Sequence, residues 1–226
     1  MNSLNEEFNQ FINLTFSNKE ITSIWGDYGV GKTTFSIQNA IATASREKTV
    51  IYIYTKPNFP FEKVNNLIKN SPKKILDNIS FIISLNFEDL YSLVFNLEFI
   101  ILDKDNSSLE LIIIDSITDL YRMELNRESK EKNFIMNYKL SQILANLSYL
   151  NKTYNIHILI VNNKSDVNRN GQIIEVQSGG LVMEYWINST IKITRTNKLN
   201  QRKFVFNKSN KKLIAISATL TENGFL

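Results

Sequence analysis

Residues Gly26-Asp27-Tyr28-Gly29-Val30-Gly31-Lys32-Thr33 carry the spacing G-x-x-x-x-G-K-[ST], and the residues on either side decide how that spacing is read. The β-branched run Ile21 to Trp25 precedes it, and an apolar pattern of helical period follows. Between a strand and a helix, such glycines let consecutive backbone N–H groups curl around a phosphate at the helix N-terminus, where the helix dipole favours an anion. The stretch therefore predicts a nucleoside triphosphate site for ATP formed by Gly26 through Thr33, with Thr34 beside them. Lys32 is expected to reach the β- and γ-phosphates and the Thr33 hydroxyl to ligate Mg²⁺. A plain Gly-rich turn is the alternative, and it leaves the flanking strand and helix without a purpose.

Short β-branched and aromatic runs recur at Ile21–Trp25, Val50–Tyr54, Ser80–Ser84, Leu109–Ile114 and Ile156–Val161, separated by segments long enough for helices. That alternation predicts an α/β fold with a mostly parallel central sheet flanked by helices. The clearest helix spans Lys130 to Asn151, where Met136, Leu140, Ile143, Leu144, Leu147 and Leu150 recur at three- and four-residue steps. After Gly179-Gly180 come Ile191–Thr194, Phe204–Phe206 and Leu213–Thr219, short runs joined by polar turns that predict an antiparallel C-terminal extension. A single domain, 1–226, accommodates the length, with residues 1–18 as a short lead-in. The apolar run Leu111-Ile112-Ile113-Ile114 ends in Asp115, which sets a carboxylate at a strand end, where ligands of such sheets collect. Asp115 is thus the expected Mg²⁺-side partner of Thr33.

The net charge of +4 conceals an asymmetry. Between Tyr185 and Leu220 there are eight Lys and Arg and no Asp or Glu, which leaves the rest, with 18 basic and 22 acidic residues, at −4. A basic end suits a polyanion such as DNA, and Lys198, Arg202 and Lys203 are candidate contacts. Lysines on solvated edge strands, where they discourage sheet-to-sheet association, are the competing explanation. There is no cysteine, which excludes disulfides and thiolate zinc sites. The polar start, with Glu6 and Glu7, lacks the features of a signal peptide. No apolar stretch is long enough to span a bilayer, since Leu93 to Leu102 is interrupted by Asn96 and Glu98. The expectation is a cytoplasmic protein without a membrane. The lone His157 lies inside an apolar strand and is read as core.

The stretch Asp115-Ser116-Ile117-Thr118-Asp119-Leu120-Tyr121-Arg122 resembles the D-S-x-T-x-L/H-Y-R segment of the archaeal and eukaryotic RecA-type recombinases, most of all the short archaeal paralogue RadB. The helix at 130–151 and the strand ending in Asn162-Asn163 are similar to that family's final helix and its strand ending in Asn-Gln, and Gln177-Ser178-Gly179-Gly180 falls where the family closes its second DNA-facing loop. The resemblance implies a RecA-type P-loop NTPase core that binds ATP and Mg²⁺ and assists homologous recombination and DNA repair. DNA, a recombinase or another recombination protein are the implied partners, and self-association is left open. It also implies DNA contacts from Arg122, Arg127, Lys164 and Arg169, within the segments 122–132 and 164–178; solvated loops are the alternative. No clear F-x-x-A polymerisation motif is present, which argues against an autonomous filament former.

Two departures from the family pattern bear on mechanism. Tyr54-Thr55-Lys56-Pro57 stands where the family has D-T-E-G, so Lys56 replaces the usual general base; Phe59-Pro60-Phe61-Glu62-Lys63 keeps the register, with Glu62 as a substitute base. Asn163 replaces the family's γ-phosphate-sensing Gln and is one methylene shorter. The expectation is weak or no hydrolysis, with ATP as a switch. A DNA-stimulated ATPase and a KaiC-like regulator of protein partners remain as alternatives.

Overall fold

Apolar runs that read as strands form the centre of one nine-stranded sheet. The computed structural model describes residues 2–16, 18–69, 72–103, 108–126, 128–169, 171–208 and 213–226. In chain order the elements are α1 (Asn2–Phe16), β1 (Ile21–Gly26), α2 (Lys32–Ala44), β2 (Thr49–Tyr54), α3 (Phe61–Leu67), a 3₁₀ turn (Lys73–Asn78), β3 (Ile79–Ile83), α4 (Phe87–Asp103), β4 (Leu109–Asp115), α5 (Ile117–Glu124) and α6 (Lys130–Tyr154). There follow β5 (His157–Val161), β6 (Lys164–Arg169), β7 (Gln172–Gln177), α7 (Gly180–Trp186), β8 (Ser189–Arg195), β9 (Gln201–Lys208), β10 (Ile214–Thr221) and β11 (Gly224–Phe225). The strand order is β11-β10-β9-β8-β1-β5-β4-β2-β3. From β8 to β3 all neighbours are parallel, and β9, β10 and β11 add on antiparallel, as expected for a RecA-like core. One detail differs from the sequence reading: the first run of the C-terminal extension, β8, is parallel to β1, and the antiparallel part begins only at β9.

A parallel sheet covered on both faces needs strands that are apolar throughout, and these alternate between two cores. Leu111, Ile113, Leu159 and Val161 face a cluster with α1 and α2, whereas Ile112, Ile114, Ile158 and Ile160 face α4, α5, α6 and α7. The stripe predicted for 130–151 is buried from Met136 to Leu150, and α6 continues to Tyr154, where Asn155 closes it at φ +52°. Ser129 caps the start of α6 by accepting from the Lys132 amide at 3.2 Å. Residues expected as a short lead-in form α1, which buries Phe8 and Phe11 against Phe35, Phe204 and Phe206. The segment read as a polar loop at 164–178 is a separate two-stranded ribbon, β6–β7, paired from Lys164–Gln177 to Arg169–Gln172.

His157 is core, as expected. Its Nδ1 lies 3.3 Å from the Asn18 carbonyl oxygen and 3.4 Å from the Glu20 amide, with the Phe16 ring alongside and Nε2 buried without a partner among the described residues. Burial, reinforced by Lys19 and Lys208, lowers its pKa to about 4. The unfolded chain therefore binds a proton near the ordinary value of about 6.5 that the folded chain refuses, and stability is lost as pH falls between these values. Relative to His157→Asn, the wild type should lose about 2–3 kcal/mol between pH 7 and pH 4.5, as read from urea unfolding at both pH values.

Candidate nucleotide-binding site

Parallel register brings the functional residues to one edge of the sheet. Gly26 ends β1 opposite Ile193, and Tyr54, Asp115 and Val161 stand level at the ends of β2, β4 and β5. Beyond Gly26 the chain turns through Asp27 to Gly31 and enters α2 at Lys32, the strand–loop–helix geometry that the spacing predicts. Gly31 sits at φ +102°, and a Cβ there would come within 2.6 Å of the Phe225 ring, so the loop closes only with glycine at this position. The buried Lys32 ammonium donates to the carbonyls of Gly26 at 2.9 Å and Asp27 at 2.7 Å, which holds it over the loop. Burial, with the neighbouring Lys56 ammonium, lowers its pKa to about 8.

The loop borders a cleft of about 520 Å³ lined by Gly29, Lys32, Thr33, Thr34, Lys56, Lys63, Asp119 and Asn163, among others. Three ammonium groups in one cleft, beside a Gly-rich loop at a helix start, suit a triphosphate. Lys63 donates to the Thr34 hydroxyl at 3.0 Å, and Tyr28 is exposed. Asp115 is fully buried. Its Oδ1 accepts from Lys56 Nζ at 2.7 Å and its Oδ2 from the Tyr52 hydroxyl at 3.2 Å. Burial pulls the Lys56 pKa down, but Asp115 and Asp119 pull it up by more and leave it above its ordinary value. Asp119 lies 4.0 Å from Lys56 and accepts a hydrogen bond from the Asn163 side chain. Asp119, in the first turn of α5 and four residues beyond the strand-end Asp115, is a site residue that sequence reasoning missed. Glu62 lines an adjoining cavity with Thr34 and Lys63. The residues fit a triphosphate, whereas the carboxylate expected to face Mg²⁺ already has a donor on each oxygen.

The candidate DNA contacts divide into engaged and free. Lys164 is held by Asp27 at 3.2 Å and Glu175 at 2.9 Å, and Lys192 joins Glu175 at 2.7 Å, so these charges are balanced and the β6–β7 ribbon is tied to the loop. Hydrogen bonds from Lys192 and Lys164 lower the Glu175 pKa to about 2. Arg195 donates to the Tyr28 carbonyl at 2.7 Å, and Lys208 pairs with Glu20. Arg122, on α5, reaches Ser178 Oγ at 3.4 Å, which brings together the ends of the two expected DNA-facing segments. Arg169 ends β6, and Arg127 lies outside the described residues. Lys198, Arg202 and Lys203 have no acidic partner among the described residues; Arg202 donates to the Gln201 carbonyl at 2.9 Å. Also among the described residues, no helix is long and apolar enough to cross a membrane.

Comparison with known proteins points to one family. Residues 2–214 match the family described as Rad51. A protein described as DNA repair and recombination protein RadB from Methanocaldococcus jannaschii is 32% identical over 177 residues, covering 78% of this chain and 79% of its own. Proteins of the same description from Methanococcus maripaludis and Methanoculleus marisnigri are 31% and 26% identical, covering 85% and 91% of this chain and 84% and 88% of theirs.

Proposed function

Because the chain belongs to the Rad51 family, we propose that it is an ATP-binding RecA-type paralogue that assists homologous recombination and DNA repair in the cytoplasm, by binding DNA, a recombinase or both. ATP acts mainly as a switch. The observation that carries this reading is Lys56: where the recombinase pattern that the sequence resembles implies a carboxylate base, this chain places an ammonium, bound at 2.7 Å to the strand-end carboxylate Asp115. The loop from Gly26 to Thr33, with Thr34, binds the phosphates through backbone N–H groups and Lys32, which exchanges its two carbonyl partners for phosphate oxygens. Lys56 and Lys63, which line the same cleft, stabilise the negative charge of the triphosphate. With no base at position 56 to activate water, the triphosphate state persists, and that persistence is the signal.

The test is a pair of binding experiments. At a concentration about 100 times its dissociation constant, ATP should stabilise the fold by roughly 2.7 kcal/mol, a melting shift of about 5–10 °C for this size. Lys32→Ala should remove the shift, and a wild type that shows none with any triphosphate would sink the nucleotide reading.

DNA binding should weaken steeply with salt, each phosphate-contacting Lys or Arg contributing about one unit to the logarithmic slope. Replacing Lys198, Arg202 and Lys203 together should flatten the slope by about two to three units. Replacing Lys164, whose charge Asp27 and Glu175 already balance, should change it little. An unchanged slope in the triple variant would leave the basic C-terminal strands as solvated edges.

A further inference from the structure

We propose that the Lys56 ammonium stands in for the divalent cation at the nucleotide site, so that this chain takes a nucleoside triphosphate without Mg²⁺. The inference rests on the ATP-binding reading above and deepens it by naming the counter-ion. At a loop of this kind a metal is held between the loop hydroxyl, here Thr33, and a strand-end carboxylate, here Asp115. Asp115 is not available in the usual way. It is fully buried, with Lys56 Nζ 2.7 Å from one oxygen and the Tyr52 hydroxyl 3.2 Å from the other.

The second carboxylate of the cleft is engaged as well. Asp119 accepts from the Asn163 amide on one oxygen and has Lys56 4.0 Å from the other. A divalent ion entering beside Asp115 would meet an ammonium in contact with the same carboxylate, in a place where water screens the repulsion poorly. The ammonium already provides what the metal would contribute, a fixed positive charge between a buried carboxylate and the mouth of the cleft. A lysine suits that position, because its compact charge carries three donors and can serve a carboxylate and a phosphate oxygen at once.

The test is the dissociation constant of a fluorescent ATP analogue for the whole chain, measured at constant ionic strength in EDTA and in excess Mg²⁺. The wild type is expected to bind within about threefold in the two conditions, and Lys56→Met, which frees Asp115, to bind at least about tenfold more tightly with Mg²⁺ than without. A wild type that needs Mg²⁺ by about tenfold or more overturns the proposal. Equal affinity of Lys56→Met in both conditions overturns it too, because Lys56 is then not what makes the metal dispensable. The wild-type comparison decides alone should the variant fold poorly. Failure of the wild type to bind the analogue in either condition is a different result, which overturns the ATP reading itself.

Discussion

Lys56→Met is expected to cost the fold about 3–5 kcal/mol, because it strands a buried carboxylate that has lost its counter-charge. Asp115 is fully buried, and its remaining donor is the Tyr52 hydroxyl, a neutral group at 3.2 Å. Removing one member of such a pair is far more costly than removing both, since the surviving charge keeps its desolvation penalty without its partner. The double variant Lys56→Met/Asp115→Asn should therefore recover most of the loss, which makes the pair a clean double-mutant cycle. For a chain of this size the single variant should melt roughly 10 °C lower. Urea unfolding of the four proteins reads the coupling directly, and a single-variant cost below about 1 kcal/mol would mean that the pair does not persist in solution.

The second large effect is on turnover. A positioned general base contributes about 10²–10⁴-fold to rate, and position 56 offers none. The nearest alternatives are poorly placed or engaged: Asp119 is held by Asn163 and faces Lys56, and Glu62 lines the adjoining cavity. ATP should consequently be bound normally and hydrolysed slower than by a relative with the carboxylate by a factor of about 10²–10⁴. Lys56→Glu is not a simple restoration, because it introduces a third carboxylate beside Asp115 and Asp119 while removing their shared cation. It should be less stable than Lys56→Met, and any gain in turnover has to be normalised to the folded fraction, read by near-UV circular dichroism.

Much of this was legible in the sequence where a period or a fixed spacing imposes a local geometry. The loop from Gly26 to Thr33, the stripe of α6 and the strand ending at Asp115 each announce themselves, because glycine freedom, a helical repeat and a doubly buried parallel strand leave distinct patterns. The β6–β7 ribbon did not, since its Ile173 and Ile174 are exposed and no buried face imposes alternation. Helix α1 was hidden by polar residues around Phe8 and Phe11, whose partners Phe204 and Phe206 lie near the other end of the chain. The sequence put a cation in place of a base at position 56, but not its partner. Lys56 meets Asp115 only because β2 lies beside β4 with Tyr54 opposite Asp115, a matter of sheet order and register. Lys164 gave the reverse case: it reads as a free basic residue and folds into a cage of Asp27 and Glu175.

Single-turnover hydrolysis at saturating ATP, with nucleotide binding measured in the same samples and with single-stranded DNA present or absent, bears most directly on the switch. The wild type should hold ATP fully bound and convert it at a rate lower by about 10²–10⁴ than a family member with a carboxylate at the position of Lys56, with little change on adding DNA. A wild type that binds ATP and hydrolyses it as fast as such a relative, or accelerates to that rate with DNA, would show that another group, Glu62 or Asp119, activates water and that the chain is a motor instead of a switch.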